Sequence, residues 1–190
     1  MRKSWAVIVL LAVLGITLPA KAQQNAAKLK AYAGYDYIRF NINANVSGFP
    51  PSESFNANGG GGQLAFNANN WLGVVGDLSG YGVTDTSSHL VGWVMPYLFG
   101  PRINFRRGRV TPFAQVLFGA ILASNTIGGL GSQNSFAMAA GGGLDLGVSR
   151  HFSVRPVQAE YFLTKIPDGL NNRQNNFRLS AGIVYRFGRG

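Results

Sequence analysis

Three carboxylates and three guanidiniums stand out because each alternates with apolar or small neighbours. They are Asp77 in VVGDLSG, Asp145 in GGGLDLG and Glu160 in VQAEYFL, with Arg102 in GPRIN, Arg178 in NFRLS and Arg186 in VYRFG. A period of two is the period of a β-strand, which places each charge opposite an apolar row. Charges of both signs on faces otherwise made of Gly, Ala and amides should pair, because an unpaired charge away from water is costly. Two uses follow: a fixed plug that fills an interior, or a gate whose pairs exchange partners to open it. Nucleophilic chemistry has one opening, His151-Phe152-Ser153, an imidazole and a hydroxyl two residues apart at a short turn. His89 lies near Asp85 without a second acid or a nucleophile around it. With no Cys and two His there is no metal-ligand cluster. The glycine runs at 59–62 and 141–143 are not followed by Lys-Ser/Thr and open no helix, so they are not phosphate loops. No cofactor is implied.

The elements that must hold these residues are constrained by composition. Charged residues make up 13% of the 190-residue chain, about half the usual share of a soluble domain, and 26 residues are Gly. The net charge of +10 raises nucleic acid as a partner. The basic residues, however, scatter over turns and alternating positions and form no stripe interleaved with stacking aromatics, which argues for no nucleic-acid binding. At the N-terminus, Arg2 and Lys3 precede an apolar run from Ala6 to Leu18, and Ala20-Lys21-Ala22 is a small-x-small cleavage motif. Residues 1–22 thus read as a secretory signal peptide, and 23–190 as one exported domain held without disulfides. No later stretch is apolar enough to cross a membrane as a helix, so strands are the remaining way to stay in one.

Eight alternating segments follow, predicted at 30–42, 60–69, 71–82, 90–105, 110–123, 134–147, 152–164 and 176–187. Each reaches the roughly 9 to 11 residues that a tilted membrane strand needs. The connections are read as long, short, long, short, long, short, long, the pattern of a barrel with large loops at one end and tight turns at the other. On this reading Asp77, Arg102, Asp145, Glu160, Arg178 and Arg186 face the lumen, and strand seven adds Pro156, Gln158 and Phe162 to it. Strand one is phased with Asp36 inward and Tyr35 and Tyr37 outward. Tyr35, Tyr37, Tyr97, Phe105, Tyr161, Tyr185 and Phe187 fall near strand ends on the apolar face, as the aromatic girdles of a membrane barrel do. The fold is therefore expected to be all-β: an eight-stranded antiparallel up-and-down transmembrane β-barrel, with a soluble lipocalin-like barrel as its rival.

The whole exported chain resembles the OmpA-like small outer-membrane β-barrel family. The resemblance rests on AGYDYIRF, GVVGDLSG, YLFGPRINF running into VTPFAQVLFGA, FAMAAGGGLDL, VQAEYFLT and GIVYRFG. It implies a barrel in a bacterial outer membrane with both termini in the periplasm, outer-membrane lipid as surroundings, and recognition of the C-terminal strand by the barrel-assembly machinery. No peptidoglycan-binding motif follows the last strand. His151 and Ser153 also resemble the His-x-Ser pair of outer-membrane lipid A deacylases, but a short periplasmic turn is the wrong side of the membrane for that substrate. The expected role is non-enzymatic: envelope integrity, or contact with an extracellular ligand through the long loops, where Phe49 and Phe55 are the candidate contacts. A narrow channel is the alternative. Arg106, Arg107 and Arg109 form a basic turn that either attracts anionic headgroups or is simply solvated.

Overall fold

Eight strands close on themselves in chain order, each antiparallel to its neighbours, in the computed structural model, which describes residues 27–42, 53–85, 90–123, 133–165 and 173–188. They are β1 (Leu29–Ile42), β2 (Glu53–Asn67), β3 (Leu72–Asp85), β4 (Leu90–Asn104), β5 (Val110–Ala123), β6 (Gln133–Gly147), β7 (Phe152–Thr164) and β8 (Gln174–Phe187). Closure is made by β1 and β8, paired from Leu29↔Phe187 to Arg39↔Phe177. A closed ladder leaves no unpaired edge, the condition for strands to sit in hydrocarbon. The signal-peptide segment 1–22, Phe49 and His89 lie outside the described residues.

Two boundaries differ from the sequence reading. β2 begins at Glu53, so ESFNANG is strand and not loop, and the Phe55 backbone pairs with Phe40 inside the ladder. β3 runs to Asp85, opposite Leu90, which leaves four connecting residues where seven were expected. ESFNANG is poor in strand formers and is carried by the register of its partner strand, whereas Val83 and Thr84 favour strand themselves. The connections at this end are thus 43–52, 86–89, 124–132 and 165–173, against 68–71, 105–109 and 148–151 at the other.

The tight turns are built by local chemistry. Asn69 Oδ1 accepts from the amides of Trp71 and Leu72 at 2.9 and 2.7 Å, and Ser149 Oγ accepts from those of His151 and Phe152 at 3.3 and 3.1 Å. Between β4 and β5, Arg107 and Val110 exchange both backbone hydrogen bonds around Gly108, whose φ of 58° only glycine adopts freely.

Alternation assigns the two faces. The outside carries Leu64, Phe66, Leu78, Phe99, Val116, Phe118, Val157 and Ile183, with Phe99 64% exposed. A soluble barrel would put such side chains in a core. The phenol of Tyr35 donates to Asn58 at 2.5 Å, that of Tyr161 donates to Asn175, and the Asn134 amide donates to the Tyr97 phenol at 2.8 Å. These three pairs ring the barrel toward the long-connection end. At the tight-turn end Phe152, Tyr185 and Phe187 pack edge to face, with centroids 5.2 and 4.8 Å apart. From Phe152 to Tyr161 a tilted strand rises about 21–24 Å, close to the roughly 25 Å apolar band of membrane barrels.

One irregularity matters for the site. Opposite β8 the pairing steps from Arg155↔Gly182 to Gln158↔Ser180, and opposite β6 from Leu144↔Val157 to Leu146↔Val154. β7 therefore carries a bulge at Pro156, a residue that cannot donate to a ladder. The bulge overturns the expected phase of this stretch. Pro156 is exposed on the outside, while Arg155 is fully buried in the lumen.

Candidate functional site: the charged lumen

Eight charged side chains are buried among the described residues: Lys30, Arg102, Arg155 and Arg178 against Asp36, Asp77, Asp145 and Glu160. Four positive charges meet four negative ones, so the interior is formally neutral. That balance lets a water-poor lumen hold so many ions.

Arg178 is the hub. Its Nη1 and Nη2 reach the two Asp77 oxygens at 3.0 and 3.2 Å, and its Nε and Nη2 reach Glu160 Oε2 at 2.8 and 2.6 Å. The second Glu160 oxygen accepts from Gln115 at 2.7 Å, and Gln158 adds a bond of 2.9 Å to Oε2. Gln63 donates to Asp77 at 2.7 Å while its carbonyl accepts from Arg102 at 2.6 Å and from Arg155 at 2.7 Å. Arg102 is held further by Gln115, at 2.7 Å from Nε and by a second bond from Nη2. Arg155 closes the network toward the tight turns, donating to Gln158 at 2.6 Å and to Asp145 at 2.8 Å, with Lys30 3.6 Å from the other Asp145 oxygen. The glutamines act as relays: one amide donates to a carboxylate and accepts from a guanidinium.

Aromatic faces complete the packing. The Arg102 and Arg155 guanidiniums lie 4.3 and 4.4 Å from the Phe113 ring centroid, and Arg155 also stacks 4.4 Å over Tyr32. Room for this comes from the glycine run of β6. A Cβ on Gly143 would stand 2.8 Å from the Phe113 ring, and one on Gly141 would stand 2.9 Å from Glu160 Cγ. Above the network, toward the long connections, Ile38, Tyr81, Val94, Leu98, Leu117, Ile121 and Phe162 form an apolar layer with exposures of 0–3%. The lumen is therefore salt-bridged below and greasy above.

Five of the six expected lumen residues thus join one network: Asp77, Glu160 and Arg178 directly, Arg102 through Gln63 and Gln115, and Asp145 through Arg155. Arg186 does not join them. It is half-buried at the tight-turn mouth, where its Nη2 donates to the carbonyls of Ser149 and Phe152 at 3.2 and 3.1 Å. Sequence reasoning missed Arg155 and Lys30. The signal for Arg155 was Pro156 beside it; Lys30 shares its phase with Asp36. The His151–Ser153 pair is not assembled, because the His151 ring stacks on Tyr185 outside, with centroids 6.2 Å apart, while Ser153 is buried. Among the described residues no cluster of His and acidic side chains is placed to hold a metal.

An apolar exterior ringed by aromatics and a buried ionic interior define the class: a small up-and-down membrane barrel. Residues 8–187 match the model of the outer membrane protein beta-barrel domain, and the chain belongs to that family. Solved structures share the architecture. Neisserial surface protein A aligns with a TM-score of 0.60 at 16% identity, over 86% of this chain and 100% of that one. The N-terminal barrel of Pseudomonas aeruginosa OprF gives 0.51 at 11% identity, over 85% and 98%. Ail, the attachment invasion locus protein of Yersinia pestis, gives 0.50 at 18% identity, over 83% and 98%. At these identities the likeness concerns the fold. No curated protein matched the sequence.

Proposed function

We propose that the protein is a non-enzymatic, non-conducting barrel of the bacterial outer membrane. In this reading the tight turns and both chain ends face the periplasm, and the longer connections present a contact surface outside the cell. The observation that carries the reading is the crowded lumen, in which a charge-balanced network lies under an apolar layer. An eight-stranded barrel has room for side chains and little else, and here buried charged, amide and aromatic side chains occupy it. The surface role is assigned to what lies outside the ladder at the long-connection end, above all the connection 43–52, which holds Phe49; Phe55, paired with Phe40 in the ladder, drops out of the contact surface. Neisserial surface protein A and the attachment invasion locus protein carry surface roles in their names, which supports the same assignment here. The ladder between β1 and β8, ending at Phe187, is the element we assign to recognition by the assembly machinery.

Single-channel recording in planar bilayers tests this. The refolded protein is expected to leave the bilayer silent. Discrete openings whose amplitude changes in Arg102→Ala would replace the plug with a gate.

A further inference from the structure

Beyond this reading, Arg186 marks a feature that the plug does not use. At the tight-turn mouth a cavity of about 460 Å³ is lined by Arg109, Arg150 and Arg186, with Gly108, Gly147 and Val148 among its walls. Three arginines thus share its lining. No carboxylate of the described residues is within ion-pair distance of any of them, and Asp145, a nearby acid, is engaged by Arg155 and Lys30. Arg106, on the same β4–β5 turn as Arg109, donates from Nε to the Asn70 carbonyl at 2.8 Å and adds a further positive charge nearby. Burial lowers the pKa of Arg106; Asp145 opposes that effect and the like charge of Arg186 adds to it. The space is kept open by glycine: a Cβ on Gly147 would stand 2.9 Å from Arg186 Nη2 and 3.3 Å from the Arg109 carbonyl.

Three arginines around one cavity, with no carboxylate partner among the described residues, call for an anion, and planar guanidiniums suit the tetrahedral oxygens of phosphate. The depth identifies its source. The walls are the β4–β5 and β6–β7 turns, which adjoin the outward rim of Phe105, Phe152, Tyr185 and Phe187, and Val148, 67% exposed, forms part of the lining. Aromatic rims of this kind mark the headgroup level of a bilayer. We propose that this cavity binds the phosphate of an anionic phospholipid headgroup in the periplasmic leaflet. The proposal rests on the outer-membrane reading, with the tight turns on the periplasmic side.

The test uses protein purified from membranes in a neutral detergent, alongside the double variant Arg109→Gln/Arg150→Gln. Both replaced side chains lie on exposed turns outside the lumen network. Each sample is first shown to migrate as a folded barrel before boiling, so that a failure of lipid binding is separate from a failure of the membrane assignment. Native mass spectrometry after exposure to equal amounts of phosphatidylglycerol and phosphatidylcholine should show the former retained several-fold over the latter. Each arginine lost should cut that preference about fivefold, the effect of one basic residue at an anionic surface. Calorimetric titration with inorganic phosphate forms the second arm. Saturable phosphate heat without a lipid preference would overturn the headgroup assignment in favour of free phosphate. A folded barrel that retains both lipids equally and binds no phosphate, or a preference that survives in the double variant, would overturn the site.

Discussion

At the scale of single residues, Arg178 is where stability concentrates. It pairs with two buried carboxylates at once, Asp77 through Nη1 and Nη2 and Glu160 through Nε and Nη2. Arg178→Met removes the cation and leaves both acids in a water-poor interior, so it should cost about 3–5 kcal/mol in equilibrium unfolding of the refolded barrel. The triple variant Asp77→Asn/Glu160→Gln/Arg178→Met, which removes the ions together, should recover most of that loss. If the triple variant is as unstable as the single one, packing rather than charge holds this layer. Much of this was legible from sequence, because Asp77, Glu160 and Arg178 each sit in phase with glycines and alanines on an otherwise apolar strand. Their pairing was not. Which acid meets which base depends on the stagger between strands, and the distance from Arg178 to Asp77 spans 101 residues of chain. Nor did alternation announce the amides as relays, since Gln63 and Gln115 look like ordinary polar fillers until the guanidiniums on either side are placed.

At the scale of the element, β7 shows what a two-residue period can and cannot reveal. Alternation read outward from Glu160 is right as far as Val157, then inverts, because one extra residue at Pro156 shifts everything before it. The consequence is testable by deletion. Removing Pro156 leaves Arg155, Val157 and Gln158 in unbroken in–out–in order, so this variant should still refold and give the gel mobility of a closed barrel. Removing Ala159 instead turns one segment of β7 inside out relative to the other, and should abolish refolding. Equal tolerance of the two deletions would refute the bulge. The same limit explains the misplaced starts of the sequence reading. ESFNANG is composed like a loop, and only its partnership with Phe40, Arg39 and Tyr37 makes it strand. Tight turns were easier to find, since Asn69, Gly108 and Ser149 act through their own backbone neighbours.

At the scale of the whole molecule, one face decides where the protein lives. Phe99 stands 64% exposed on the outside, between the Tyr97 phenol above and Phe105 below. Arginine there would face water in a soluble barrel and change stability little. In a bilayer, Phe99→Arg should cost about 2–4 kcal/mol, read as a lowered midpoint of urea-driven unfolding from lipid vesicles. Fold class was the most legible property of all. Low charge, abundant glycine and eight alternating segments allow few other architectures, and the closed chain-order barrel follows from them. The mouth of the barrel was the least legible. Arg186 has the phase of a lumen residue, yet the strand ends there, and it turns to backbone carbonyls and to the cavity between two turns.

The central claim is that a closed barrel meets lipid on its outside. Fractionation of cells followed by electrophoresis with and without boiling tests it most directly. The protein is expected in the outer-membrane fraction, soluble only with detergent, and migrating faster unboiled than boiled because the ladder between β1 and β8 survives in detergent until heated. A protein recovered in the aqueous fraction, with the same mobility before and after boiling, would contradict the account.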